Sequence, residues 1–165
     1  MAENVTGSTA PQGNGAGSPQ LIINAQYVKD LSFENPRAPH SLLQQQQQKP
    51  PEVALNVDVK AQPLAQDVYE VSLDITATAK SGEDTVFVVE LTYSAVVTVR
   101  GATQEILPLL LVVETPRLLF PFARAVIADA TREGGFPPLL IHPIDFSELL
   151  RRQQAAGAPT GVATA

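Results

Sequence analysis

Asp67–Gly101, DVYEVSLDITATAKSGEDTVFVVELTYSAVVTVRG, reads as two long strands joined by a tight turn. In its first half Tyr69, Val71, Leu73, Ile75 and Ala77 alternate with Glu70, Ser72, Asp74, Thr76 and Thr78. In its second half Phe87, Val89, Leu91, Tyr93, Ala95, Val97 and Val99 alternate with Glu90, Thr92, Ser94 and Thr98. A period of two sends each apolar set to one face and each polar set to the other. Ser81-Gly82-Glu83-Asp84 between them is a plausible hairpin connection. A hairpin of this kind is antiparallel with one face to be covered, so the rest of the chain must supply a lid and further strands. Val86, Val88 and Val96 fall with the polar set, which leaves a small apolar patch beside Glu90 on the open face.

Two earlier stretches extend the sheet. In Val53–Ala61, Val53, Leu55, Val57 and Val59 alternate with Asn56, Asp58 and Lys60, before Gln62-Pro63 begins a break. From Leu21 to Phe33 the alternation puts Leu21, Ile23, Tyr27, Leu31 and Phe33 on one face. Asn24, Gln26, Asp30, Ser32 and then Glu34 take the other. Between these strands lies ENPRAPHSLLQQQQQKPPE, whose four prolines exclude an internal strand and predict a long crossing loop. Gln44–Gln48 is a low-complexity insertion in it, and Leu42 and Leu43 are apolar residues the loop can present to a groove.

The lid follows the strands. TPRLLFPFARAVIADATREGG, Thr115–Gly135, places Leu119, Phe122, Ala123, Val126, Ile127 and Ala130 on one face of a helix. Thr115 reads as its N-cap, Pro116 as a tolerated first-turn proline and Gly134-Gly135 as its stop, while Pro121 predicts an irregular or kinked first turn. The preceding TQEILPLLLVV, Thr103–Val113, reads as a short or interrupted helix, more apolar than covering one sheet requires. That excess hints at a subunit interface or a deeply buried helix. After Gly135 the proline-broken FPPLLIHPIDF leads to Asp145 and Glu148, a capping-box-like start for a helix carrying Phe146, Leu149 and Leu150. The fold class is therefore α+β, a four-stranded antiparallel sheet with C-terminal helices packed on one face. Residues 1–19 and 155–165 read as disordered tails around a single domain, 20–154.

Composition narrows the function. A length of 165 residues supports one core, and no apolar run reaches the roughly 18 residues that cross a bilayer. No secretory signal pattern opens the chain, so it is expected to remain where it is made, without direct membrane insertion. The net charge of −6 argues against nucleic acid as partner and is compatible with basic partners or plain solubility. Zero cysteines leave no disulfide, thiolate nucleophile or Cys-type metal site, as suits a reducing cytosol. His40 and His142 stand in proline-flanked segments without metal-ligand spacing. There is no GxxxxGK[ST], GxGxxG or GxSxG, and Glu83-Asp84 falls in a turn. The chain reads as a protein-binding protein, with no cofactor, no metal site and no enzymatic constellation.

Several motifs resemble one family. YVKDLSFENPRAPH (Tyr27–His40), DVYEVSLDITATA (Asp67–Ala79), FVVEL (Phe87–Leu91), PRLLFPFAR (Pro116–Arg124) and GGFPPLLIHPIDF (Gly134–Phe146) are similar, in order and spacing, to the SecB family of bacterial protein-export chaperones. The resemblance spans roughly residues 21–153. It implies a homotetramer, a dimer of dimers with helices between two sheets. It also implies a cytoplasmic holdase that keeps unfolded precursor proteins translocation-competent, without ATP, and delivers them to the motor SecA. Carried over by motif, SecA docking falls on Asp30, Glu34, Val88 and Glu90, positions the strand parity also places on outer faces. The opposite parity, Val89, Leu91 and Tyr93, matches positions that couple sheet to helices and so to the oligomer interface. Client-groove candidates are Leu42, Leu43, Phe120, Phe122, Leu140, Phe146, Leu149 and Leu150. The chain departs from many relatives in lacking a crossing-loop tryptophan before Pro-Glu-Val. An alternative of the same fold is a SecB-like chaperone dedicated to an antitoxin, which would not need the acidic docking set. An alternative of another class, a small enzyme with a scattered polar site, has no residues to carry it.

Overall fold

The computed structural model describes residues 17–44 and 49–157, so most of both expected tails and Gln45–Gln48 lie outside the described residues. Four strands, β1 (Gln20–Glu34), β2 (Glu52–Ala65), β3 (Val68–Ser81) and β4 (Asp84–Arg100), form one antiparallel sheet in the order β1-β4-β3-β2. The segment from Asn35 to Pro51 therefore crosses from one edge of the sheet to the other, and it carries a short helix, α1 (His40–Gln44). The β3–β4 hairpin closes through Gly82-Glu83, with Ser81 opposite Asp84 and Gly82 at φ 63°. A two-residue loop needs that positive φ at its first position, and glycine adopts it without a Cβ clash.

The expected faces of β3 and β4 are the observed ones except near the hairpin, where the register shifts between Ala79↔Phe87 and Lys80↔Thr85 and leaves Val86, expected on the open face, as a bulge residue packed against the core. Val71, Leu73, Ile75 and Ala77 pair across with Ala95, Tyr93, Leu91 and Val89, and all are buried beneath the helices. β2 runs past its expected break, since Pro63 pairs with Tyr69 and the strand continues to Ala65. It does so because β2 is an edge, where a residue without an N–H can face solvent.

β1 departs from strict alternation. Its pairing with β4 slips by one residue between Ile23 and Ala25 and again between Val28 and Asp30, so Asn24 and Lys29 are bulge residues. The first bulge reverses the parity and the second restores it. Between them Tyr27 lies opposite Ser94 on the outer face and Gln26 opposite Ala95 on the helix face, the reverse of the sequence expectation. On the outer face Tyr27 donates to Glu70 Oε1 at 2.7 Å and Lys29 Nζ to both Glu70 oxygens at 2.8 and 3.0 Å. Gln62 of β2 donates to the same carboxylate. The Glu70 side chain is only 8% exposed, and these three donors satisfy its charge.

The helices depart from expectation at their start. Leu107–Leu109 (α2), a π-helical turn at Leu110–Glu114 and α3 (Thr115–Glu133) follow one another without a break, in place of two separate helices. Thr115 is a helical residue and not a cap: its N–H and its hydroxyl both reach the Leu110 carbonyl, the latter at 2.7 Å. A turn of i→i+5 bonds immediately before Pro116 accommodates a proline that an unbroken α-helix would reject. The irregularity thus sits at Leu110–Glu114, upstream of Pro121, which α3 includes within its length. α3 packs on β4, β3 and β1, burying Leu119, Phe120, Ala123, Ile127 and Thr131. This stripe is rotated from the expected one, and Phe122 stands 50% exposed. Gly134 and Gly135 end the helix, the latter at φ 88°, and a Cβ on Gly134 would lie 2.3 Å from the Phe33 ring.

α4 (Phe146–Ala155) begins at Asp145, whose Oδ1 accepts from the N–H groups of Ser147 (3.0 Å) and Glu148 (3.1 Å). Glu148 turns to Arg151 and Arg152, so the cap is one-sided. Phe146 and Leu150 enter the core, and Gln153 donates to Asp58 on β2 at 2.7 Å.

The hydrogen bond to Glu70, then burial, then the charge of that carboxylate together push the Tyr27 phenol from 10.0 up to about 12. Its folded value is raised, so its contribution to stability is complete below pH 10.0 and is lost as pH rises through about 12. Glu70 is held low mainly by hydrogen bonds from Lys29 and Tyr27, so its contribution is present above 4.5 and lost in acid. Phenolate absorbance followed against pH is expected to show one tyrosine titrating near 12, and Glu70→Gln to bring that midpoint down toward 10.0.

Candidate functional site

Three surfaces carry the residues singled out from the sequence. The first is the outer face of the sheet at the β1–β4 pair. Its rungs are Asp30 opposite Thr92, Ser32 opposite Glu90 and Glu34 opposite Val88. Asp30, Glu34 and Glu90 are exposed, Val88 is half-buried among them, and the Ser32 hydroxyl lies 3.4 Å from Glu90 Oε2. Neighbouring lysines are engaged elsewhere: Lys29 with Glu70 and Lys60 with Asp74 at 2.7 Å. Among the described residues no ion pair engages Asp30, Glu34 or Glu90, so the face presents three carboxylates around one apolar side chain.

On the opposite face of the same strand, Val89, Leu91 and Tyr93 are buried beneath the helices of their own chain. The second surface is the side of the helices turned away from the sheet. Leu109, Leu118 and Phe122 are about half exposed there, and Ile106 is exposed as well. Leu118 and Phe122 are four residues apart on one helix face.

The third lies at the end of the sheet where the crossing loop meets the segment after α3. An apolar cavity of ≈ 350 Å³ is lined there by Pro50, Pro51, Val53, Phe87, Phe136 and Leu139, with Arg37 and Lys49 among its polar wall. Beneath it Phe87 meets Phe136 at 5.0 Å and Phe33 at 5.8 Å between ring centroids. Leu42 closes against Gly135, with 3.0 Å from its Cδ2 to the position of a Cβ there. Arg37 pairs with Asp84, tying the crossing loop to the β3–β4 hairpin.

The eight groove candidates differ widely in exposure. Leu42, Leu43, Phe122 and Leu140 are exposed, with Leu43 and Leu140 the most open. Leu149 is half-buried. Phe120, Phe146 and Leu150 belong to the core of the single chain: Phe120 packs edge-on against Phe146 at 6.2 Å, and Phe146 is 1% exposed. Two aromatics that do line the cavity, Phe87 and Phe136, are absent from the sequence-derived set. The proline-flanked GGFPP segment was the available signal for Phe136, and Phe87 was hidden as an ordinary inward strand residue.

Among the described residues no three His, Cys, Asp or Glu side chains gather as a metal site would require, and no helix is long and apolar enough to cross a membrane.

Residues 14–157 match the family described as preprotein translocase subunit SecB. The chain is 49% identical over 154 residues to the protein-export protein SecB of Rhodopseudomonas palustris (strain BisB5), covering 90% of this chain and 96% of that one. It is 52% identical over 154 residues to the protein-export protein SecB of Rhizobium meliloti (strain 1021), covering 92% and 90%. A solved structure, the Mycobacterium tuberculosis SecB-like chaperone in complex with a ChAD peptide from the HigA1 antitoxin, superposes with a TM-score of 0.62 at 16% identity, covering 75% of this chain and 90% of that one. At that identity the likeness speaks to the fold alone. Half the residues shared with export proteins along nearly the whole chain, on a SecB-like fold, make this chain a member of the SecB family.

Proposed function

We propose that this protein is an ATP-independent export chaperone that captures unfolded precursor proteins, keeps them translocation-competent in the cytoplasm and passes them to SecA. The observation that carries this reading is the pairing of two unlike surfaces on one chain: an open apolar cavity at the crossing loop and an unpaired acidic cluster on the far face of the sheet. Apolar burial yields about 25 cal/mol per Å² whatever the side chain that supplies it, which suits a site for many different clients. Carboxylates set around Val88 suit one basic partner, recognised by charge and approached by steering. In this reading clients lie along the cavity and the exposed Leu42, Leu43 and Leu140, while Asp30, Glu34, Val88 and Glu90 meet SecA. The antitoxin-dedicated alternative is the weaker one, since the relatives near 50% identity are named as export proteins and the antitoxin-bound structure shares only 16%.

The assembly proposed with it is a homotetramer, a dimer of dimers. Leu109, Leu118 and Phe122 form an apolar helix face that the single chain does not cover, and burying such a face between subunits is its simplest use. Val89, Leu91 and Tyr93 act beneath it, setting the tilt of α3 and hence how two such faces meet.

The decisive experiment is refolding of a denatured precursor with and without this protein in the absence of ATP. Refolding should be slowed by a stoichiometric amount of chaperone, and an unaffected rate would overturn the holdase reading. Glu90→Lys is expected to weaken SecA binding by about tenfold at physiological salt, less as salt screens the face, with client capture unchanged. Sedimentation should give four times 17.6 kDa for the parent chain and a smaller species for the double variant Leu118→Glu/Phe122→Glu.

A further inference from the structure

The alternation of β1 is compatible with two registers, and the difference between them bears on the acidic face. Without either bulge the pairing at Ile23↔Val97 would continue unchanged, setting Tyr27 opposite Tyr93, Asp30 opposite Glu90 and Ser32 opposite Val88. Leu21, Ile23, Leu31 and Phe33 would still face the helices, so the apolar pattern hardly separates the two arrangements. The acidic face does change. Asp30 would stand directly against Glu90, a like-charge pair, and every outward residue beyond Lys29 would move two positions along β4, about 7 Å. Lys29 would turn toward Leu91, where its stem could still run out past the sheet edge.

What distinguishes the observed register is the cluster above the bulges. Tyr27 and Lys29 reach Glu70 only because the Asn24 bulge turns Tyr27 outward and the Lys29 bulge lets Lys29 lie on that face. Glu70 is on β3, two strands away from β1, and is nearly buried under those donors together with Gln62. β1 is an edge strand whose backbone pairs with β4 alone, so a cross-sheet anchor has leverage there that backbone pairing lacks. We propose that Glu70 is a positioning residue for the acidic docking face: by holding Tyr27 and Lys29 it selects the doubly bulged register of β1 and so sets the spacing of Asp30 and Glu34 relative to Glu90. This rests on the docking role proposed above, although the register itself can be measured without any partner.

The chain has no cysteine, so two introduced thiols report the register directly. Ser32→Cys with Glu90→Cys should cross-link in the observed register, and Ser32→Cys with Val88→Cys in the straight one. Adding Glu70→Ala is expected to shift the ratio of the two cross-links by about tenfold toward the second pair, the population change that loss of charge-assisted hydrogen bonds produces. Tyr27→Phe, which removes one bond and keeps the ring, should shift it less and in the same direction. The exchanged pair Lys29→Glu/Glu70→Lys should bring the ratio back. In chains with Ser32, Val88 and Glu90 intact, SecA affinity should fall with Glu70→Ala and return with the exchanged pair. An unchanged cross-link ratio in both Glu70→Ala and Tyr27→Phe, or a loss that the exchanged pair does not restore, overturns the proposal. If the ratio shifts while Glu90→Lys leaves SecA affinity untouched, the register role stands and the docking reading fails.

Discussion

The central strand β4 governs the molecule, because it pairs with β1 on one edge and β3 on the other while its two faces meet different demands. Toward the helices every second side chain must be buried, and Val89, Leu91, Tyr93, Ala95 and Val97 meet that demand. Toward the outside the intervening positions carry polar and smaller apolar side chains, Ser94 buried there against Ser72, and Val88 and Glu90 stand among partners from β1. The three surfaces are referred to this strand: the acidic face by pairing, the helix face by the layer packed on it, and the cavity through Phe87 near its start. A strand with period two cannot shift by one residue without exchanging these roles.

Polar groups finish what the apolar pattern leaves undetermined. Thr131, fully buried, donates to carbonyls of Ile127 and Ala128 and accepts the Leu139 N–H at 2.9 Å, tying the proline-rich segment to the helix that precedes it. Ser72 and Ser94 bond each other at 2.8 Å beneath the outer face. Among the described residues no buried side-chain nitrogen or oxygen lacks a partner, so these groups direct the packing without an unmet desolvation cost.

How much of this was legible follows from what each element obeys. β3, β4 and their turn follow simple alternation apart from the bulge at Val86, with a glycine at the tight connection, and they could be read almost entirely from the residues. The acidic face was legible because the two bulges of β1 cancel in parity, leaving Asp30, Ser32 and Glu34 outward. Tyr27 and Gln26, between the bulges, were misplaced; the available warning was that strict alternation sends Lys29 into the apolar set. The π turn follows neither a period of two nor 3.6, and Thr-Pro reads equally well as a helix start, so one long helical run looked like two. The cavity was the least legible part. Its walls come from the crossing loop, three strands and the segment after α3, and such convergence has no local signature.

The strand order also has a kinetic meaning. β2, β3 and β4 are neighbours in sequence and joined by two-residue turns, so they can assemble from local contacts soon after they are made. β1 precedes them in the chain yet pairs with the last of them, Gln20 with Arg100 and Glu34 with Val88, across the whole intervening meander. Closing that long loop costs entropy that the first hairpins do not bear. A nascent chain therefore holds β1 without its partner until Arg100 has emerged. For that interval a protein of this family is itself an incompletely folded polypeptide with an unpaired strand.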